Sequence, residues 1–406
     1  MSPDLARWRA LAWISLAELG ALSLWFSASA VLPALSREWH LGDGGRAGLT
    51  IAVQLGFILG TLGSALANLP DLLPPRYLMM AGALIGAAAN GALALWVDGL
   101  GTALALRFLT GLCMAGAYPP AMKIVATWFS RDRGLAIGIL IGALTAGSAA
   151  PHLIRGLTDL PWRGTLLAAS GLSVLAAIVT ALFVHEGPDR FPGARFNLRM
   201  AGAVFAERPA RLACFGYFGH MWELYSMWAW IGLFMAASLE ARGGGSYLGL
   251  NASAATFVAM GLGGALGCYA GGALADRWGR TTLTMAAMAC SGLCAVLIGF
   301  TYAGPPALTF LVALIWGVSV IADSAQFSTA VTELAPAAYV GTALTTQTCV
   351  GFALTMISIW LIPPVVSRIG WPWAFALLAP GPALGVYAMG RLRGLPEATR
   401  LAHGRR

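Results

Sequence analysis

Charge is scarce in this chain. Only 10% of its 406 residues are Asp, Glu, Lys or Arg, against roughly 25% in a soluble globular protein, which excludes an ordinary water-soluble fold. Lysine is nearly absent: of 25 basic residues, 24 are arginine and the one lysine is Lys123. Cysteine is sparse as well, and Cys113, Cys214, Cys268, Cys290, Cys294 and Cys349 all fall inside apolar runs. No disulfide framework or CxxC metal signature follows from them. Cys290 and Cys294 lie one helical turn apart with no histidine or third thiol near, and read as packing residues. There is no P-loop, GxSxG or HExxH sequence, so neither ATP-driven nor hydrolytic chemistry is expected. The chain reads as a protein without cofactor, metal or enzymatic activity.

Apolar sequence is what the chain has in plenty, with 58% hydrophobic residues and a mean hydropathy of +0.74. A bilayer core takes about 20 apolar residues per helix. Runs of that kind are expected at 10–33, 47–69, 76–97, 100–127, 133–157, 163–185, 211–238, 250–274, 281–303, 305–332, 340–367 and 371–392. Arg7 and Arg9 before an apolar run ending near Ser27-Ala28-Ser29-Ala30 imitate a signal peptide. The run is too long for a signal core and contains Glu18, so a retained first helix is expected. The predicted class is an all-α membrane protein of twelve transmembrane helices in two pseudo-symmetric six-helix bundles. The bundles would be 1–185 and 211–392, joined by a linker at 186–210 and followed by a tail at 393–406. Two repeats support the duplication: Asp71 and Asp276 are 205 residues apart, and Gly134-Leu135-Ala136 recurs as Gly341-Thr342-Ala343 after 207.

The formal charge of +8 is a topology signal. With the N-terminus inside, 17 of the Arg and Lys residues fall in cytoplasmic segments and 6 outside, while Arg107 and Lys123 lie within a span. Such an excess in short loops places both termini in the cytoplasm, in a cell inner membrane. Nucleic acid is not needed to explain the charge, and the partners expected are a small solute, protons and lipid around a monomer.

Ionisable groups at membrane depth are costly and face cavities or partners. Acidic and basic groups within the spans are Glu18 in span 1, Arg107 and Lys123 in span 4, His220 and Glu223 in span 7 and Asp323 in span 10, with His152 in span 5. Spans 1, 4, 7 and 10 recur with a period of three, as helices lining a central pathway would. Glu223 comes out about 18 Å deep at 1.5 Å per residue. It shares one helical stripe with His220, Met227 and Trp230. An unpaired carboxyl there suits a group that loads and releases a proton, and Lys123 is placed to pair with Glu18. Pro119 and Pro120 should loosen span 4. Glycines four apart, such as Gly134, Gly138 and Gly142 or Gly263, Gly267 and Gly271, provide close helix contacts. Asn251, in a formal Asn-Ala-Ser glycosylation triplet, reads as a helix cap.

Gly272-Ala273-Leu274-Ala275-Asp276-Arg277-Trp278-Gly279-Arg280 resembles the loop signature of the major facilitator superfamily, between spans 8 and 9. Asp71 and Arg76 keep only its acidic and final basic positions, since Pro74 and Pro75 replace a glycine and a basic residue. The resemblance implies a conformational latch at Asp71, Arg76, Gly272, Asp276, Arg277, Gly279 and Arg280, with arginines pairing across the two halves. Arg107 with Gly111 resembles the fourth-helix motif linked to proton coupling. The segment from Ala115 to Gly147 is similar to bacterial nitrate, nitrite and cyanate porters. It departs from nitrate porters in lacking an arginine in spans 2 and 8, and span 5 lacks the Gly-Pro pair of drug antiporters.

The function expected is alternating-access, proton-coupled transport of a small solute, with uptake of an organic or inorganic anion favoured. Its substrate and proton pathway would include Glu18, Arg107, Lys123, His220, Glu223, Trp230 and Asp323. Export of amphipathic or cationic compounds and a transporter-like sensor are the alternatives.

Overall fold

A computed structural model describes residues 3–129, 132–189, 196–336 and 339–405 of the chain, apart from the side chains of Pro3, Pro70, Asp71 and His403. Ten helical segments are at once long and apolar enough to cross a bilayer. The two further spans are the ones that carry polar or broken sequence. Span 7 is a single helix, Arg208–Glu240, holding His220 and Glu223. Span 1 is split into Pro3–Leu22, Ser27–Ala30 and Leu32–Glu38. The described residues thus give twelve crossings, and among them the only β-type pairing is an isolated bridge between Tyr247 and Leu250.

Spans 2 to 6 are Asp43–Leu66, Pro75–Trp96, Leu100–Trp128, Arg133–Leu157 and Trp162–Phe183. Spans 8 to 12 are Ala252–Trp278, Arg280–Phe300, Pro306–Leu334, Val340–Ile369 and Trp371–Arg393. Helix ends follow the local chemistry. Asn251 caps span 8 through its side-chain oxygen, which accepts from Ala254 N at 2.9 Å. Gly279 closes span 8 and opens span 9 at a φ of +86°, a left-handed conformation that a side chain would strain. Span 4 continues as a helix through Pro119 and Pro120. Span 10 is interrupted at Asp323, between Pro306–Ala322 and Ser324–Leu334.

Within each bundle small residues let backbones touch. A Cβ at Gly271 would collide with the carbonyl of Ala322, which fixes span 8 on span 10. The same device joins the bundles: a Cβ at Gly138 of span 5 would lie 2.8 Å from Cys268 O of span 8. At one end of that seam Gly134 O packs on Gly272, and at the other Asn251 Nδ2 donates to Gly156 O at 2.8 Å. Both termini lie on one face. Arg7 meets Asp132 of the loop between spans 4 and 5 at 3.2 Å, and Arg405 donates to Asp276 O at 2.6 Å. Of the arginines counted for topology, Arg131, Arg190, Arg195 and Arg406 lie outside the described residues.

Candidate functional site

Between the bundles a cavity of about 680 Å³ opens toward the face that bears the termini. Span 4 lends it Tyr118 and Met122, span 5 Ile137, Ile141 and Leu144, and span 7 Tyr217, Met221, Leu224 and Tyr225. Span 10 adds Ser324, Ser328, Thr329 and Thr332, and span 11 Leu344, Thr348 and Phe352. Its charged lining residues, Asp132, Arg133, Asp276, Arg280 and Glu333, belong to the loops and helix ends at the mouth.

The blind end is shut by aromatic rings drawn from both bundles. Trp25 and Phe57 of the first bundle meet Tyr225 and Phe352 of the second. Phe57 and Phe352 stand 4.5 Å apart, and Trp25 lies 5.6 Å from Tyr225. Beyond this plug the far half is closed by Phe26 against Trp228 and by His152 seated on Gly232. Toward the termini, a Cβ built on Gly63 of span 2 would meet no neighbouring element within 4 Å among the described residues.

The plug depends on the break in span 1. Residues 23–26 form a turn in a place without water: Phe26 O is taken by Ala30 N at 3.0 Å, Leu24 O receives a long backbone bond of 3.4 Å from Ser27 N, and Trp25 O has no backbone donor among the described residues. Arg107 supplies the donors. Its guanidinium is fully buried and donates to Leu24 O at 2.9 Å, Trp25 O, Ser27 Oγ at 3.1 Å and Leu49 O at 3.3 Å. Asn90 Oδ1 lies at 3.4 Å from the same group and accepts from Ser27 Oγ at 2.8 Å. Arg107 is therefore a clamp on spans 1, 2 and 3, and it does not line the cavity.

The stripe expected on span 7 exists, but it faces the interior of the second bundle. Glu223 is buried and accepts from Ser291 Oγ and from Trp316 Nε1, both at 2.7 Å. His220 Nδ1 lies 2.9 Å from Asp323 Oδ1, and both side chains are buried. Asp323 occupies the break in span 10, next in sequence to cavity-lining Ser324. Trp230 donates to Ile359 O at 3.1 Å and braces span 11. The neighbouring stripe, Tyr217, Met221, Leu224 and Tyr225, meets the cavity instead.

Glu18 is fully buried, and both its oxygens lack a hydrogen-bond donor among the described residues. The expected pair with Lys123 is not formed. Lys123 sits half-buried at the termini end of span 4, about 7.5 Å along the helix from Glu18's neighbour Tyr118 at 1.5 Å per residue, and engages other groups.

At the loop signature Arg280 makes a two-pronged contact with Glu333, at 2.7 and 2.9 Å, and donates to Gln326 at 2.7 Å. Asp276 is 3.7 Å from Arg280, while Arg277 is exposed. In the first bundle Arg76 reaches Glu186 at 3.8 Å and His185 at 3.0 Å. These pairs stay within their own bundle rather than crossing between halves. The latch position Asp71 has its side chain outside the described residues.

Sequence reasoning missed the hydroxyl face of the cavity. Ser324, Ser328 and Thr332 recur every four residues after Asp323, a spacing that marks one polar face of a short helix. Tyr217 was equally unmarked, since a tyrosine in an aromatic-rich span carries no signal of its own.

Two bundles joined by smooth seams around a cavity with one open end define a membrane transport protein. The chain belongs to the major facilitator superfamily, whose model matches residues 14–359. It is thus a transporter of some solute and not an enzyme. In fold it is similar to a mutant of the nucleoside transporter NupG, with a TM-score of 0.73 over 94% of this chain and 99% of that one, at 13% identity. Among curated relatives, a probable galactarate/D-glucarate transporter of Escherichia coli is 33% identical over 91 residues, which is 22% of this chain and 20% of that protein. Monocarboxylate transporter 12 of Rattus norvegicus is 34% identical over 92 residues, 21% of this chain and 19% of that protein. A puromycin resistance protein of Streptomyces alboniger is 28% identical over 207 residues, 50% of this chain and 40% of that protein. The chain therefore aligns with a fifth to two fifths of the length of these relatives.

Proposed function

We propose that the chain is a proton-coupled secondary transporter working by alternating access, in a cell inner membrane with both termini in the cytoplasm. The observation that carries this reading is the one-sided cavity, plugged by Trp25, Phe57, Tyr225 and Phe352, with buried carboxyls one layer behind its wall. In that orientation the structure is the inward-open form, and the excess of arginine on the termini face supports it.

The proton seats are Glu223 and the His220–Asp323 pair. Ser291 hydroxyl lies within reach of both Glu223 Oε2 and Met288 O, at 2.7 and 3.2 Å. With the carboxyl ionised, Ser291 donates to it; with the carboxyl protonated, the hydroxyl can turn to Met288 O and accept. The site thus accommodates both protonation states without moving a helix. The break at Asp323 gives protons a route from the cavity, past Ser324 to His220 and on to Glu223 one turn away. Glu18 and Lys123 remain candidates on the first bundle, and Arg107 acts by holding the span 1 break in shape. The relatives' names, which speak of galactarate/D-glucarate, monocarboxylate and nucleoside transport and of puromycin resistance, are chemically diverse and select no cargo for this chain.

The test is accumulation in proteoliposomes against a panel of solutes, with and without an imposed pH gradient. Glu223→Gln should keep solute counterflow and lose gradient-driven accumulation by tenfold or more. Its amide can accept from Trp316 and donate to Ser291, so the fold should stand. Gradient-driven accumulation at the wild-type rate would sink the role of Glu223.

A further inference from the structure

The cavity wall holds a chemical pattern that the transport reading does not use. Three of the ionisable groups of the membrane interior are turned away from it, and a fourth, Glu18, is fully buried behind the cavity-lining Tyr118. Arg107 is spent on carbonyls, Glu223 faces Ser291 and Trp316, and Asp323 faces His220. The arginines and carboxylates that do line the cavity sit at its mouth, where Arg280 is already paired with Glu333. Between the mouth and the plug the wall is made of uncharged groups of two kinds, the second of which runs along span 10 from Ser324 toward Glu333 at the mouth.

One kind is aromatic and polarisable: Tyr118 and Met122 from the first bundle, with Tyr217, Met221, Tyr225 and Phe352 from the second. Ring faces and thioethers favour a flat unsaturated group between them. The other kind is the hydroxyl face of span 10. Ser324 and Ser328 donate to no partner among the described residues. Thr329 and Thr332 donate to their own helix, at Ala325 O and Ser328 O, which leaves their oxygens as acceptors. The wall therefore offers donors and acceptors without a formal charge. An ion carried to this depth would lose its hydration with no counter-ion to replace it. At about 680 Å³ the cavity lies within the usual range for small-molecule sites.

We infer that the solute is an uncharged amphipathic molecule, a planar unsaturated ring joined to a hydroxyl-bearing portion, with the ring among the tyrosines and the hydroxyls on span 10. This rests on the reading that the inter-bundle cavity is the solute path. It replaces the anion as the favoured cargo, because the cation meant to meet an anion is not in the wall.

The experiment is equilibrium binding to the full chain in lipid nanodiscs, without a gradient, using four probes. Phenyl β-glucoside carries ring and hydroxyls, phenyl β-glucuronide adds a carboxylate, glucose lacks the ring, and benzyltrimethylammonium carries ring and cation. Saturable binding of phenyl β-glucoside is expected, with each of the other three at least tenfold weaker. Ser328→Ala should weaken the glucoside roughly threefold to tenfold, the loss of one neutral hydrogen bond, and Tyr225→Leu should weaken it by a similar factor through the lost ring contact. Equal or tighter binding of the glucuronide or the ammonium overturns the inference, as does no binding of the glucoside or its indifference to both substitutions. Because the assay uses no gradient, it can fail while the Glu223→Gln result stands, and the converse also holds.

Discussion

At the scale of single residues, the intramembrane charges divide by what surrounds them. Arg107 illustrates a group whose sequence signal is strong and whose use is decided by neighbours. A buried arginine with four or five acceptors is satisfied, and removing it would leave Trp25 O without a donor in a dry site, at about 1–3 kcal/mol for a group left unpaired, and unfasten Leu24 O from Leu49 O. Arg107→Ala should therefore lower the unfolding midpoint of the purified protein substantially. Arg107→Lys should lower it less but measurably, since a lysine has no planar fork to span carbonyls from two helices. A thermal melt unchanged in both would show that the span 1 break does not need the clamp. Glu223 is the opposite case, two donors on one carboxyl and room for a proton, which is why its isosteric amide separates coupling from folding.

At the scale of elements, helix breaks and glycine seams share the work. Spans 1 and 10 are interrupted at residues 23–26 and at Asp323. Each break lies beside a group that the proposed function uses, the aromatic plug in one case and the His220 pair in the other. Irregular backbone is tolerated at membrane depth where it is buried in protein or lines a cavity. Span 5 against span 8 is a continuous contact from Gly134 to Gly156, so relative motion of the bundles must slide or pivot along it. A leucine at Gly138 would force side-chain atoms into Cys268 O and overpack the seam, typically at a cost of about 1–3 kcal/mol. Gly138→Leu is expected to reduce counterflow at least tenfold while the protein still inserts and purifies. Near wild-type counterflow would place the moving contact elsewhere.

At the scale of the whole molecule, the far half is closed and the termini half open, which the proposed alternating-access cycle takes as one of its ends. Locking the plug should stop the cycle. Phe57 and Phe352, whose ring centres are 4.5 Å apart, come from opposite bundles. In a Phe57→Cys and Phe352→Cys double variant, a short bifunctional methanethiosulfonate linker should abolish counterflow, and reduction should restore it. The wild-type chain with its six native cysteines provides the control. Undiminished counterflow by the linked protein would show that these aromatics do not part during transport.

The sequence by itself determined the class of solvent, the twelve crossings, the two-bundle plan and which spans bear charge, because hydropathy and the cost of buried charge act locally along the chain. It also marked Asn251 as a cap, since capping needs only neighbours three residues away. Where each charge points was settled by tertiary structure alone. His220, Glu223 and Trp230 share a stripe in sequence, yet whether that stripe meets the cavity or the bundle interior depends on how span 7 is rotated against spans 9, 10 and 11. Arg107 and the span 1 break are 80 residues apart, and only packing brings a guanidinium to the carbonyls of Leu24 and Trp25. Glu18 and Lys123 show the same limit from the other side: opposite charges at compatible depths attract only if their helices turn them toward each other.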